Sequence, residues 1–242
     1  MTNMAAPYMW EKRLLYSSTG GTLFGVLLHI IAVATTHWLT FEIPGGLYIN
    51  STGRFLSEVQ SGLWRSCKTE FTITKDSNNQ NIKHTYETCA RHNLFPTDSE
   101  LHRDKSTDFQ FLDYMRTGSA FGIIALLVMV LGHIFAIYTL RRPRYILKRL
   151  TALMHLMTAA CVLVENEVFI RRVEYADAHL PERIPNKANH TYGYSFVLSW
   201  MCFVFFVIAG IVFLLTSHKR KAEMADIDDT GAEEDEPVAI RR

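Results

Sequence analysis

The chain has no excess of charge of either sign. Its 25 Lys and Arg face 24 Asp and Glu, a formal net charge of +1 at pH 7. The basic residues form no stripe interleaved with aromatics, which excludes an electrostatic nucleic-acid binder. Catalytic signatures are missing too. There is no Gly-rich phosphate loop, no His-Glu-x-x-His and no serine nucleophile elbow. His84, His92 and His102 lack the cysteine and carboxylate spacing of a closed metal site, so neither metal nor cofactor is expected. Cysteine is scarce, at 4 residues. No cleavable signal peptide precedes the first apolar block, so that block is expected to act as its own insertion signal.

What is abundant is apolar sequence, and it is segregated. Four blocks reach about 20 residues, the length at which a helix crosses a bilayer, and charge collects between them. The expected spans are 16–38, 117–140, 150–170 and 193–216. They delimit a cytoplasmic N-terminus (1–15), a transmembrane domain (16–217) with loops at 39–116 and 171–192, and a disordered, acidic tail (218–242). Trp38 closes the first span, where an indole favours the headgroup level. Gly21 with Gly25, and Gly118 with Gly122, are small-residue steps that let another helix approach closely.

The spans hold too few polar residues to line a water path, and the broken helices and repeated halves of a transporter are not visible. His29 reads as a neutral histidine bonded inside the bundle, with a proton-sensing or ligand role as the alternative. Glu165 and Glu167 lie in the last third of the third span. Glu167 reads as interfacial, and Glu165 as pairing with an inter-helix polar group or snorkelling outward, with a functional carboxylate as the alternative. Cys161 and Cys202 read as packing residues.

Basic residues set the orientation. Arg141, Arg142, Arg144, Lys148 and Arg149 crowd a short connection, and Lys12, Arg13 and Lys219–Lys221 flank the outer spans. Short basic connections stay cytoplasmic, which puts both termini inside. Asn50-Ser51-Thr52 and Asn189-His190-Thr191 then fall outside as glycosylation signals, Asn189 standing close to the fourth span.

The long first loop carries Gly62-Leu63-Trp64, then Cys67 and Cys89. Lys68–Thr74 alternates like a strand, Asp76–Asn81 reads as a turn, and His84–Cys89 reads as the returning strand. The hairpin brings the two cysteines near its base, where disulfide geometry can be met; two free thiols are the other reading. A bridge there would remove loop entropy worth about 3 kcal/mol.

Four spans, inside termini, Trp38 and Gly62-Leu63-Trp64 followed by Cys67 and Cys89 resemble the claudin-like superfamily. That group includes claudins, peripheral myelin proteins, and the gamma subunits of voltage-gated calcium channels with their relatives, the transmembrane AMPA-receptor regulatory proteins. The wide cysteine gap, Arg65, Cys89–Asn93, Arg144–Arg149, Val164–Val168 and Tyr192–Phe196 are similar to the gamma-subunit branch. The resemblance implies a four-helix bundle carrying an extracellular antiparallel β-sheet, with Trp64 packing the sheet on the helix tops and a Cys67–Cys89 disulfide pinning it. It also implies a non-enzymatic auxiliary subunit at the plasma membrane, at synaptic or junctional sites. Its partners would be pore-forming ion-channel or glutamate-receptor subunits, met through the third and fourth spans and the sheet. The alternative is a claudin-type adhesion or barrier protein that self-associates. The tail departs from the regulatory proteins: it is short and ends in Arg242, which does not suit a PDZ groove.

Overall fold

The computed structural model describes residues 5–75, 81–97, 108–142, 144–180 and 189–234. Helix α1 (Ala5–Ala34) is followed by four strands, β1 (Leu39–Ile49), β2 (Arg54–Ser61), β3 (Arg65–Lys75) and β4 (Asn81–Arg91). Helices α2 (Phe109–Arg141) and α3 (Tyr145–His179), strand β5 (Asn189–Tyr192) and helix α4 (Tyr194–Glu234) complete the chain. Among the described residues, four helical segments are long and apolar enough to cross a membrane: Met9–Ala34, Phe109–Arg141, Tyr145–His179 and Tyr194–Ser217. Successive neighbours round the bundle are α1, α2, α3 and α4, so α1 and α3 face each other across its diagonal.

The strands form one antiparallel sheet in the order β4-β3-β2-β1-β5. The expected hairpin is β3–β4; its Asp76–Gln80 turn lies outside the described residues. Strands β1, β2 and β5 were not expected. In β1 the run Pro44-Gly45-Gly46 breaks the alternation that marks a strand. The register against β2 shifts between Glu42 and Leu47, and Gly45 and Gly46 take φ of 79° and 75°, which glycine adopts without a Cβ penalty.

The helices outrun the apolar blocks. Helix α2 starts at Phe109 rather than 117 because Asp108 caps it: Oδ1 accepts from the N–H of Gln110 (2.8 Å) and of Phe111 (3.0 Å). Helix α3 continues past 170 to His179, burying Arg172, Val173 and Ala176. Glu165 is therefore not near the helix end but deep inside it, fully buried. Lys148 is likewise no loop cation; it is fully buried, paired with Glu11, and donates to Thr216 O at 3.5 Å. The tail was expected to be disordered, yet α4 runs on to Glu234. The Lys, Ala, Glu and Met after Ser217 are good helix formers extending a helix already nucleated.

The Asp108 carboxyl is held below its ordinary value, first by the Phe111 N–H and also by the Tyr175 hydroxyl. A lowered acid stabilises the fold above its unfolded value and loses that contribution as pH falls through the folded one. Asp108→Ala should cost about 1 kcal/mol at neutral pH, and the difference from the unsubstituted protein should shrink on acidification. Thermal unfolding in detergent at several pH values measures both.

Candidate functional site: the junction of sheet and bundle

Leaving α1, the chain has only Thr35–Trp38 in which to turn into β1. Trp38, expected to close the first span, is fully buried in protein. Its indole Nε1 donates to Ala32 O at 2.6 Å, and its ring lies 4.9 Å from Phe169 of α3 and 6.1 Å from Phe196 of α4. Leu39, Phe41, Leu63, Phe169, Val173 and Ala176 close the same apolar cluster. Burial of so many large side chains at one place makes this the seat of the sheet.

Gly62-Leu63-Trp64, between β2 and β3, plugs into this seat. A Cβ on Gly62 would stand 2.6 Å from Thr35 O, so only glycine admits the approach. Leu63, 2% exposed, enters the bundle beside Gly118 and Gly122 of α2, and its carbonyl accepts from Ser119 Oγ at 3.3 Å. Trp64 is only half-buried and leans on the rim of the cluster. Trp64, expected to pack the sheet on the helix tops, packs against the rim of this cluster, while Trp38 and Leu63 fill the seat, because the turn after α1 aims Trp38 inward.

Arg172, missed in the sequence, holds the plug from α3. Its Nη2 donates to Gly62 O and to Ser61 Oγ, each at 3.3 Å, and its guanidinium stacks 4.4 Å from the Phe169 ring. The signal was its spacing, three residues after Phe169 and seven after Glu165, on one helix face. Gly193, also unremarked as a contact, meets the turn from the other side. A Cβ there would collide with His37 O, and its N–H donates to Trp38 O at 3.0 Å.

Cys67 and Cys89 are direct cross-strand partners and form a disulfide. Glu87 lies near those sulfurs, but sulfurs bonded to each other offer a metal no thiolate. Among the histidines noted in the sequence, His92 reaches the plug, with Nε2 3.4 Å from Gly62 O; His84 lies opposite Thr72 in the sheet, and His102 lies outside the described residues. Gly21 and Gly25 face Phe205 and Phe206 of α4, while Gly118 and Gly122 face Val168 and Glu165 of α3 as well as Leu63. Asn50 is exposed in the β1–β2 turn; Asn189 is exposed in β5 opposite Glu42.

The fold and junction define a multi-pass membrane protein of claudin-like architecture, its antiparallel sheet pinned by one disulfide and seated on four helices. The family profile described as PMP-22/EMP/MP20/Claudin tight junction matches residues 23–215. The chain belongs to this family. It is 26% identical over 203 residues to the voltage-dependent calcium channel gamma-1 subunit of Sus scrofa, covering 82% of this chain and 86% of the relative. It is 24% identical to the gamma-7 subunit of Homo sapiens, covering 86% of this chain and 71% of the relative. Epithelial membrane protein 1 of Oryctolagus cuniculus is 27% identical over 44% of this chain and 64% of its own length.

Trp38→Ala should destabilise the protein by about 3–5 kcal/mol, the cost of emptying a buried aromatic site. Trp64→Ala should cost less than half of that, since this residue is only partly buried. Chemical unfolding in mild detergent, followed by protease resistance of the sheet, ranks the two; a larger loss for Trp64 would contradict the seat described.

Proposed function

We propose that this protein is an auxiliary, non-pore-forming subunit of an ion channel or receptor, modulating its gating and surface delivery. The observation carrying this reading is the length of the gamma-subunit match. Gamma-1 aligns over 82% of this chain and 86% of its own length, whereas epithelial membrane protein 1 aligns over 44% of this chain. The bundle interior agrees. Ala125, Met129, Ala159, Val162, Cys202 and Phe206 pack together between α2, α3 and α4, with Val26 of α1 against them, a dry apolar contact rather than a polar-lined path.

The partner is a pore-forming calcium-channel or glutamate-receptor subunit in the plasma membrane, including synaptic or junctional membrane. Both termini are cytoplasmic and the sheet is extracellular. Contact runs along exposed apolar residues of α3 and α4, such as Leu153, Met157, Val197, Met201 and Val204, and over the sheet. Modulation then requires that one gating state of the partner be bound more tightly than another. A claudin-type adhesive role is the second reading. The family description and the epithelial membrane protein match favour it, as does β4, exposed along its whole length.

Isolation from native membranes in mild detergent should recover a pore-forming subunit at near-equal stoichiometry. Recovery of this chain alone, or with junctional scaffold proteins, would overturn the auxiliary reading in favour of adhesion. Orientation and modification are tested together by Asn50→Gln, which should remove one glycosidase-sensitive step in gel mobility. An unmodified Asn50 in the unsubstituted protein would remove that support for an extracellular sheet.

A further inference from the structure

Two arginines stand directly opposite each other where the β3–β4 hairpin meets the bundle. Arg65 and Arg91 are cross-strand partners, one pair beyond the Cys67–Cys89 disulfide and on the same face. The next pair along is hydrogen-bonded, His92 N–H donating to Trp64 O at 2.8 Å. By alternation the arginines form the close, non-hydrogen-bonded kind of pair, with Cβ atoms about 5 Å apart. Like charges so placed repel. No carboxylate relieves them among the described residues, whose ion pairs are made by His29, Arg54, Arg116, Lys148 and Arg171. The one carboxylate of β4, Glu87, lies four residues away beyond the disulfide, about 13 Å along the strand. Both arginines are exposed.

A second observation gives this charge its depth. Arg65 Nη2 donates to the carbonyl of Ala34 at 3.4 Å, and Ala34 is the last residue of α1. Ala34 is itself exposed and continues a line of exposed apolar side chains, Leu23, Leu27 and Ile30, spaced at four, three and four residues on one helix face. That stripe is about 16 Å long, close to half of a hydrocarbon core of about 30 Å. An unneutralised pair of cations therefore stands at the top of an apolar track one leaflet deep.

We propose that Arg65 and Arg91 bind the phosphate diester of a membrane phospholipid whose acyl chain lies along the Leu23–Ala34 stripe. The diester carries one negative charge on two free oxygens, so each guanidinium can donate to it and the repulsion across the strands is relieved. Arg65 uses one of its five donors on Ala34 and keeps the rest of its fork for the ligand. An acidic peptide or a free phosphate would satisfy the cations but leave the stripe unused. The bound lipid would join β4, whose strand neighbour is β3, to the end of α1, and so brace the outer edge of the sheet against the membrane. Its place in the outer leaflet rests on the extracellular sheet proposed above; the binding itself does not.

The test uses the full chain, disulfide intact, in mild detergent, where sidedness plays no part. Its failure is thus separate from a failure of the orientation, which Asn50 reports. Native mass spectrometry follows titration with dioleoyl phosphatidylcholine and with dioleoylglycerol, which has the same chains and no phosphate. One phosphatidylcholine should be retained about tenfold more tightly than dioleoylglycerol. Arg65→Gln and Arg91→Gln should each lower phosphatidylcholine affinity about tenfold, the loss of one charge-assisted hydrogen bond. Arg171→Gln, at an exposed arginine already paired with Glu174, should leave it unchanged. Equal retention of the two lipids, affinity surviving in both arginine variants, or an equal loss in Arg171→Gln would overturn the proposal. Displacement of the lipid by millimolar inorganic phosphate or glycerophosphocholine would overturn it in favour of a free-phosphate site. Should Arg65→Gln lose the disulfide or helical content with its bond to Ala34, Arg91→Gln decides.

Discussion

One indole hydrogen bond fixes how two kinds of structure meet. A helix ends with four carbonyls that its own backbone cannot satisfy, and within a membrane there is no water to do it. Ala32 O is one of these in α1, and Trp38 Nε1 supplies the donor from six residues downstream. The side chain that satisfies the helix end also fills the cavity between Phe169 and Phe196, so polar satisfaction and apolar burial are achieved by one residue in one orientation. The same turn serves α4. Trp38 O accepts from Gly193 and His37 O from Ser195, which satisfies amides at that helix's start. Four residues therefore close the end of one helix, open another and launch the sheet. The direction of β1 relative to the bundle is not free once Trp38 is in place.

Backbone contact on both sides of this turn follows from where side chains are missing. Gly62 lies against Thr35 O and Gly193 against His37 O, at separations a Cβ would forbid. Two segments distant in sequence are thus held to the turn by backbone rather than by side-chain packing, which resists sliding because peptide groups have no rotamers to adjust. Arg172 completes the arrangement. A buried guanidinium is costly unless its donors are used, and here they bind Gly62 O and Ser61 Oγ while its face lies on Phe169. Breaking the plug away would strip that guanidinium of the Gly62 and Ser61 acceptors, so the loop is retained by the penalty of their loss as well as by its own contacts.

How much of this was legible in the sequence depended on whether a signal carried direction. The four apolar blocks gave the spans, and the alternation of β-branched residues through Lys68–Thr74 gave the β3–β4 hairpin with its cysteines opposed. Gly62-Leu63-Trp64 stood out as the loop's anchor, but composition does not say which aromatic points inward, and the turn geometry chose Trp38. Strand β1 was hidden by Pro44-Gly45-Gly46, which reads as a break and is in fact a bulge. Strand β5 has four residues and no pattern of its own; it exists because β1 offers an edge. Glu165 and Lys148 were misplaced, and Arg172 missed, for a common reason. A hydropathy sum sees charge and assigns the residue to an interface, whereas the 3.6-residue period places all three on the buried stripe of α3 with Thr151, His155, Thr158 and Phe169.

That stripe bears on what the bundle is suited to do. In lipid the tails are as apolar as leucine, so helices gain nothing by hiding apolar side chains from one another; they gain by close packing and by satisfying polar groups inside. The chain follows this rule: Thr, His, Asn, Glu and Lys face inward, while Leu127, Ile134, Leu153, Met157, Val204 and Ile208 face out. A surface of that kind is a poor source of specific polar recognition within the membrane, and any selective contact along it depends on shape. The sheet is the opposite, a polar face with charged and aromatic side chains held at a fixed angle by the Trp38 seat. Under the proposed auxiliary function, a protein so divided would grip its membrane partner by fit along the helices and discriminate between the partner's states through the sheet. The rigidity of the seat sets how much of that discrimination reaches the helices: a sheet free to pivot would follow its partner in every state and favour none of them.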